Sequence, residues 1–311
     1  QSHVLIITNK STFKDLVDYY YLSNYYSMLR DKTKVDYKYF LDVVCDKFAT
    51  VKYKNITTKL AKGAYETWLG QGVSYANHVA TCASRVFNYA IDMEQAILNP
   101  FSSIKRKASK KRTVVWTEDN VKTFLDVAYA DFSSRNIGLI IQMAYEWCQR
   151  LGDMRTLEWD NIHWDTCRLH LEQSKRRAEV FLPISEDLMD MLQDQHKDFG
   201  FQRYVAPHPK PIQGVFNPYT LARLSKNGRA IMREARLPET LRLMDLRRTG
   251  VTQMVDAGVP VLQVMSVTGH THVSSVQPYM KHTYDSANNA LTQRSNSLQS
   301  AISSNTESDS L

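Results

Sequence analysis

Several features that identify common classes of protein are scarce or absent in this chain of 311 residues. There are only 4 cysteines (Cys45, Cys82, Cys148 and Cys167) and no Cys-x-x-Cys pair, which argues against a disulfide framework or a zinc site and favours a reduced cytosol. No apolar run reaches the roughly 18–20 residues that cross a bilayer. The N-terminus also lacks the charged and apolar segments of a signal peptide.

The composition that remains is typical of a folded protein. Hydrophobic residues make up 43% of the chain and charged residues 23%, which excludes a disordered, collagen-like or low-complexity protein. The length suits two domains, each able to bury its own core. Because the chain begins with Gln1 instead of Met, we expect it to be part of a longer protein.

Positive charge is concentrated in one short segment. The net charge is +7, and six basic side chains lie within residues 105–112: Lys105, Arg106, Lys107, Lys110, Lys111 and Arg112. Such a block repels itself and does not fold alone. It therefore predicts either a solvated linker or a strap along a phosphate backbone, where the release of counterions favours binding. Its place between Asn99-Pro100 and a new helix signal indicates a domain junction.

The first domain is predicted to be a small helical bundle. Helical spacing predicts one helix capped by Ser11, one over about 33–47, one after Ile56 and one from Ser74 to Met93. The side chains expected to face inward are Phe13, Leu16, Tyr19, Tyr20, Val35, Phe40, Val43, Val44, Ala76, Val79, Ala83, Val86, Phe87 and Ala90. Lysines interleaved with tyrosines on the polar faces suit either phosphate contacts or a merely solvated surface.

The second domain, from about Val114, is predicted to combine helices with a small sheet. Thr117 and Ser134 are the predicted N-caps of its first two helices. The segments NIHWD, RLHLEQ and AEVFLPI are short and rich in β formers, which predicts three strands. Later helices are expected from these positions, with both prolines in first turns: Ser185, Asn217-Pro218, Asp245 and Pro260.

These patterns give a fold class and a division of the chain. We expect a mainly α protein with a small antiparallel β-sheet. The predicted parts are a helical domain at 1–104, a basic linker at 105–113, a second domain at 114–285 and a polar tail at 286–311. The Ser- and Asn-rich end of the tail predicts disorder.

Four separated motifs carry the residues of greatest chemical interest. They are CQRLGDMRTLEWDNI with Arg150 and Asp153, EQSKRRAEVFLPI with Lys175 in a predicted hairpin turn, LMDLRRTG with Arg247, and VTGHTHVSSVQPYMKH with His270 nine residues before Tyr279. In order and spacing this set resembles the tyrosine recombinase (phage integrase) family. Its pattern is G-x-R-x-x-E, then L-x-W, a hairpin Lys, H-x-L-R-x-T, and L-G-H followed nine residues later by Tyr. The resemblance covers roughly 11–284.

The resemblance implies both a fold and a reaction. The fold is an N-terminal helical, SAM-like core-binding domain followed by a mixed α/β catalytic domain. The reaction is DNA cleavage and rejoining without metal, ATP or other cofactor, in which the Tyr279 phenol forms a 3′-phosphotyrosine. Arg150 and Arg247 would neutralise the pentavalent phosphate, because a guanidinium stays charged and grips phosphate oxygens in a fixed fork.

The remaining motif residues have implied supporting roles. Lys175 would protonate the leaving 5′-hydroxyl as general acid. His270 would donate a hydrogen bond to the scissile phosphate, and Asp153 would support Arg150 instead of reacting. The absence of a Walker motif and of a carboxylate cluster agrees with this chemistry.

Neighbouring residues compete for these roles. The competitors are Tyr284 for Tyr279, Arg176 and Arg177 for Lys175, Arg155 and Arg248 for the arginine pair, and His272 for His270. The nine-residue spacing selects Tyr279, while the hairpin position and the distance to Pro183 select Lys175. Arg155 and Arg248 are expected to contact phosphate or solvent. His272 is expected at the surface, with assistance to the reaction as the alternative.

Two unusual positions bear on how the tyrosine reacts. Met244 occupies the place of the usual His, three residues before Arg247. A thioether neither donates a strong hydrogen bond nor moves a proton, so we expect a working but slowed enzyme. Pro278 directly precedes Tyr279, and proline removes a backbone donor and disfavours helix at Gln277. This predicts an irregular, mobile turn around the nucleophile.

The function implied by the resemblance is site-specific recombination by the integrase of a phage or other mobile element. Its partners would be double-stranded DNA attachment sites, a homotetramer on two such sites with a Holliday junction intermediate, and DNA-bending accessory proteins, with no membrane. Its place would be the bacterial cytoplasm, at the nucleoid. The tail from Ser286, with apolar Ala287, Ala290 and Leu291, would dock on a neighbouring protomer, and an arm-binding domain would precede Gln1.

Two other functions stay open. A type IB topoisomerase uses nearly the same chemistry as a monomer, although the domain layout and the VTGH motif argue against it. A DNA-binding accessory protein whose catalysis has decayed at Met244 is the non-enzyme alternative. The joint retention of the five motif residues argues against decay.

Overall fold

The computed structural model describes residues 6–175, 177–279, 288 and 290–298. It divides into two compact units, Gln1–Arg112 and Thr113–Leu311, each with its own hydrophobic core. The described residues are mainly helical with one small antiparallel sheet, which confirms the predicted fold class.

The first unit is a helical bundle. Its helices are α1 (Phe13–Tyr21), α2 (Asn24–Ser27), α3 (Asp31–Phe48), α4 (Thr58–Leu69) and α5 (Val73–Asp92), with a short 3₁₀ helix at Tyr53–Asn55. The long helix α5 packs against α1, α3 and α4. Its inward stripe is almost completely buried, as helical spacing predicts: Ala76, Val79, Ala83, Val86, Phe87 and Ala90.

Two predictions for this unit were wrong. Thr12, and not Ser11, caps α1, because Thr12 and Asp15 form a reciprocal capping box with N–H to oxygen distances of 3.2 and 2.7 Å. Val35 is 63% exposed instead of facing inward. It lies six residues before buried Leu41, about 120° away around α3, which turns it from the core.

The second unit combines helices with the small sheet in its described residues. Its helices are α6 (Glu118–Tyr129), α7 (Phe132–Glu146), α8 (Leu151–Met154), α9 (Glu186–Phe199), α10 (Leu221–Glu234), α11 (Leu246–Asp256) and α12 (Val261–Thr268). Short 3₁₀ helices occur at Trp159–Asn161, Leu243–Asp245, Val273–Ser275 and Gln277–Tyr279. The apolar helix α7 lies in the middle of this core, with Ile140, Ile141 and Ala144 fully buried.

The sheet has the three predicted strands in sequential antiparallel order. They are β1 (Ile162–His163), β2 (Arg168–Glu172) and β3 (Glu179–Pro183). The β2–β3 register runs from Arg168 opposite Pro183 to Glu172 opposite Glu179. The alternation of side chains turns Leu169, Leu171, Val180 and Leu182 into the core. The hairpin turn follows Glu172 and ends before Glu179, and its described residues are 173–175, 177 and 178.

Predicted helix starts in this unit had mixed outcomes. Thr117, Ser185 and Asp245 are N-caps, as expected. The helix expected from Pro260 also begins there, although Pro260 is the N-cap of α12 and not a first-turn residue. Two starts were wrong: Asp131 caps α7 in place of Ser134, and Thr220 caps α10 beyond Pro218. Each of these two helices begins after the residue whose side-chain oxygen accepts from a backbone N–H of the first turn. The N–H to oxygen pairs are Ser133 to Asp131, at 2.7 Å, and Arg223 to Thr220, at 3.2 Å.

The structure also bears on the thiols and the tail. All four cysteines are free, with Cys82 and Cys148 buried and Cys167 exposed. In the described part of the tail, residues 290–298 are helical and exposed. Ser286, Ala287 and the expected disordered end at 299–311 lie outside the described residues. Of the helices within the described ranges, none is long and apolar enough to cross a membrane.

Candidate active site

One cleft of the second unit brings together residues of the first and third motifs. It has a volume of about 590 Å³ and is lined by Arg150, Met244 and Arg247. The cleft is also lined by two arginines that the sequence patterns did not single out, Arg229 on α10 and Arg242 before α11. The positive charge of four arginines along one concave surface favours an anionic ligand.

The turn after α7 places Arg150. The N–H of Cys148 donates to the Tyr145 carbonyl at 3.3 Å and that of Gln149 to the Ala144 carbonyl at 3.1 Å. Cys148 has a left-handed φ of 52°. This is a Schellman motif, in which the left-handed position is usually glycine. The family pattern also has glycine at this position, two residues before its first arginine. Arg150 follows directly as the N-cap of α8.

Arg247, in the first turn of α11, reaches the same turn from the other side. A Cβ on Gly250 would clash with the Cys148 Sγ, so only glycine lets α11 approach this closely. The Arg247 guanidinium donates to the carbonyl oxygens of Cys148 at 3.1 Å and Thr268 at 2.7 Å. Residues at three separate points of the chain thus meet at one side chain.

The two arginines form a like-charged pair. Burial, together with the positive charge of Arg150, lowers the pKa of Arg247 to about 10. The guanidinium therefore stays charged at neutral pH. Two cations held close together attract an anion that relieves their repulsion, and a phosphodiester is such an anion.

His270 is held beside Arg247 in a defined tautomer. Its Nδ1 lies 2.8 Å from the Thr268 hydroxyl, and that hydroxyl donates its own proton to the Val264 carbonyl at 2.9 Å. A hydroxyl has one proton, so the Thr268 oxygen accepts from Nδ1–H. In the neutral ring, Nε2 is then an acceptor, and it lies 3.4 Å from an Arg247 nitrogen.

Asp153 links Arg150 to the β2–β3 hairpin. Its carboxylate is buried, with Oδ2 3.8 Å from the Arg150 guanidinium and Oδ1 accepting from the Ser174 N–H at 3.0 Å. Lys175 follows Ser174 and is exposed in the turn. An exposed lysine on a turn anchored at its base suits a mobile proton donor. Its competitor Arg176 lies outside the described residues.

Tyr279 ends a short 3₁₀ helix, Gln277–Tyr279, and is half-buried. An irregular turn instead of a continuous α-helix was predicted from Pro278, and the structure agrees. The segment is fixed by Val276, fully buried against Val251 of α11 and Val264 of α12, with Tyr279 packed on the same cluster. The Tyr279 hydroxyl lies within electrostatic range of Arg247, since its ionised form raises the pKa of that arginine. Tyr284, its competitor, lies outside the described residues.

Two competitors of the arginine pair have protein partners. Arg155 was expected to contact phosphate or solvent, but its guanidinium donates to the Tyr219 carbonyl at 2.8 Å. Arg248 lies 3.5 Å from the buried carboxylate of Asp245. His272 is exposed, as expected. Met244 has 67% of its surface exposed at the cleft.

The basic segment begins on the first unit. The Arg106 guanidinium donates to the Thr81 hydroxyl at 2.8 Å. The backbone of Lys107 accepts from the Asn77 amide and donates to the Tyr65 hydroxyl, both at 2.9 Å. Arg112 is half-buried. The other basic residues of the segment are exposed: Lys105, Arg106, Lys107, Lys110 and Lys111. Whether they contact DNA stays a prediction.

Sequence reasoning missed two buried glutamines behind the arginines, Gln149 and Gln173. The signal for Gln173 was its position: it follows Leu169 and Leu171 at alternate places and so faces the core at the end of β2. As for metals, in the part of the chain that the structure describes no group of three or more His, Cys, Asp or Glu side chains is arranged to hold an ion.

Comparisons with known proteins agree with this arrangement. A family model described as "Phage integrase family" matches residues 115–286, which contain all four motifs. A comparison with curated protein sequences found no significant match.

Solved structures share the fold. A lambda integrase dimer bound to a COC′ core site is 17% identical, with a TM-score of 0.72, over 88% of this chain and 78% of that one. A lambda integrase tetramer bound to a Holliday junction gives the same values. A Tn1549 transposon integrase in complex with transposon right end DNA is 15% identical, with a TM-score of 0.73, over 91% of this chain and 99% of that one.

Proposed function

The chain belongs to the phage integrase family of site-specific tyrosine recombinases, and we propose that it cleaves and rejoins DNA through a 3′-phosphotyrosine on Tyr279. One observation carries the proposal: Arg247 lies beside His270 and within electrostatic range of both Arg150 and Tyr279. This set would supply charge neutralisation, a proton-accepting nitrogen and a nucleophile in one region of the second unit. The carboxylate of Asp153 and the hairpin of Lys175 adjoin it.

Charge neutralisation falls to the arginine pair. A phosphodiester that accepts a fifth oxygen gains negative charge on its equatorial oxygens. Arg150 and Arg247, already cationic and close together, stabilise this charge more than that of the ground state. Asp153 keeps the guanidinium of Arg150 oriented without reacting.

Proton movement falls to His270 and Lys175. The phenol of Tyr279 attacks phosphorus and gives up its proton, and the Nε2 acceptor of His270 receives it in the absence of the usual His at Met244. The resulting imidazolium then donates a hydrogen bond from Nε2–H to the scissile phosphate. Lys175 protonates the departing 5′-oxygen, so one proton is accepted and one is supplied. The phosphotyrosine conserves the bond energy, so religation needs no ATP.

At the level of assembly, we propose binding to double-stranded attachment sites, a homotetramer on two sites and strand exchange through a Holliday junction. The lambda integrase tetramer of similar fold, bound to such a junction, supports this. The basic segment 105–112 would follow the phosphate backbone. The tail would dock on a neighbouring protomer, and DNA-bending proteins would assist.

The test is to trap the covalent intermediate. Nicked duplexes are tiled across the DNA that flanks the gene, because strand cleavage beside a nick releases the short fragment that carries the 5′-hydroxyl and so prevents religation. The wild-type chain is expected to form an adduct that resists denaturation, and its Tyr279→Phe variant none. Tyr284→Phe is the matched control and should keep the adduct.

Each other result has a meaning. An adduct that is lost in Tyr284→Phe but kept in Tyr279→Phe would identify Tyr284 as the nucleophile. Relaxation of a plasmid without attachment sites favours the topoisomerase. DNA binding without an adduct on any duplex favours the accessory protein.

A further inference from the structure

The two buried glutamines form a hydrogen-bonded pair behind the arginines. Gln173 is completely buried, and its amide nitrogen donates to the Gln149 side-chain oxygen at 2.6 Å and to the Thr268 carbonyl at 2.8 Å. Its amide oxygen accepts from the Arg150 guanidinium at 3.0 Å. Every hydrogen-bonding atom of the amide therefore has a partner, as a buried polar group requires.

The orientation of both amides follows from their partners. The Gln149 nitrogen lies 2.7 Å from the Trp147 carbonyl and 2.8 Å from the Val267 carbonyl, and carbonyls only accept. The Gln149 oxygen must then accept from Gln173. This turns the Gln173 oxygen towards Arg150, where a cation needs an acceptor.

One carbonyl connects this pair to the second arginine. The Thr268 oxygen accepts from Gln173 and, at 2.7 Å, from Arg247. Gly269 follows with a left-handed φ of 69°, and a Cβ there would lie 2.9 Å from the Gln173 amide. The glycine thus lets the end of α12 contact the glutamine directly.

The backbone of Gln173 also closes the hairpin. Its N–H donates to the Ala178 carbonyl at 2.8 Å, and its carbonyl accepts from the Arg177 N–H at 2.9 Å. Lys175 lies in the turn that these two hydrogen bonds close. A single residue is therefore bonded to Arg150, through Thr268 to Arg247, and to the turn that carries Lys175.

We propose that Gln173 is a positioning residue for strand cleavage: its amide sets the separation and direction of the Arg150 and Arg247 guanidinium groups. The effect of Gln173 on strand cleavage rests on the proposed function. Because Gln173 is completely buried, it would act through the two arginines and not on the substrate directly. An error of about 1 Å in the placement of a charge-stabilising group costs on the order of 100-fold in rate.

The test compares two buried glutamines of the same unit. Gln173→Met keeps the length and volume of the side chain but removes all three side-chain hydrogen bonds. Gln195→Met is the matched control, because Gln195 is equally buried but donates to Asn136 and the Val205 carbonyl, away from the arginines. Single-turnover cleavage is measured on a nicked duplex with an ordinary phosphate or a neutral methylphosphonate at the scissile position.

The expected results separate positioning from stability. Gln173→Met should cleave the phosphate on the order of 100-fold more slowly than wild type. The deficit should shrink to about 10-fold or less on the methylphosphonate, which carries less charge for the arginines to neutralise. Gln195→Met should lower Tm but cleave both duplexes at the wild-type rate. A Gln173→Met deficit that is absent, or equal on both duplexes, overturns the proposal.

A second measurement does not depend on DNA cleavage. Side-chain ¹⁵N–¹H spectra of the free protein report the mobility of each arginine Nε–H group. Gln173→Met should raise the mobility of Arg150 and Arg247, and Gln195→Met should not. Unchanged mobility overturns the proposal. If wild type forms no adduct on any duplex, the proposed function fails while these spectra still decide the role of Gln173.

Discussion

The hydroxyl of Thr268 accepts a hydrogen bond from Nδ1 of His270 at 2.8 Å, and this bond fixes which ring nitrogen faces Arg247. Thr268 is fully buried, so the bond is not replaced by water. The side chain of Thr268, which lies in the fourth motif just before Gly269, thereby determines the proton chemistry of His270.

Thr268→Val should therefore slow adduct formation by about 10-fold, because an unsatisfied buried donor costs about 1–3 kcal/mol. Valine keeps the branched shape, so packing changes little. Single-turnover adduct formation at saturating DNA measures the effect. Thr268→Ser retains the acceptor and should stay near the wild-type rate. A valine variant as fast as wild type would mean that His270 needs no fixed tautomer.

Met244→His should raise the rate of suicide-substrate cleavage, because it restores a second proton acceptor at the cleft. The side chain is 67% exposed, so the substitution should leave Tm unchanged. Met244→Leu is the control without a titratable group and should match wild type. If the histidine variant is no faster, Met244 is no defect and His270 alone suffices.

Neutralising the basic segment should weaken DNA binding and flatten its salt dependence. The variant carries glutamine at Lys105, Arg106, Lys110 and Lys111. Four lost phosphate contacts lower the slope of log K against log salt by about 3–4. The control carries glutamine at four exposed basic residues of the second unit: Lys122, Lys197, Arg203 and Lys210. A first variant that keeps the full slope would identify the segment as a spacer.

Inorganic phosphate should stabilise the folded chain without DNA, because it relieves the repulsion between Arg150 and Arg247. A ligand at ten times its Kd adds about 1.4 kcal/mol. Thermal unfolding in phosphate and in chloride of equal ionic strength measures the difference. Arg247→Met should lose this difference and Lys210→Gln should keep it. An equal effect in all three proteins would mark a general salt effect on the surface.

Sequence patterns predicted elements better than their first residues. The stripe of α5 and the three strands repeat a period that burial imposes, so they could be identified along the chain. Helix starts depend on which of several neighbouring oxygens reaches an N–H. Ser11 and Ser134 had competitors in Thr12 and Asp131, and the sequence does not rank such neighbours.

The candidate site was predictable only for the residues that belong to the motifs. Motif spacing selected Arg150 and Arg247, and the fold places them together in one cleft. Gln149 was not found because a glutamine beside a motif residue looks like a surface residue in sequence. Arg229 was missed because its helix is otherwise strongly basic on its exposed face, and only the fold turns that residue to the cleft.

The close contact of Gly269 with Gln173 restricts how this protein can vary. Alanine at 269 requires both a strained backbone and a shorter side chain at 173, and a shorter side chain releases Arg150. A change at either position, or at both, therefore costs backbone geometry or the placement of Arg150. Libraries of variants of this enzyme should therefore leave Gln173 and Gly269 unchanged.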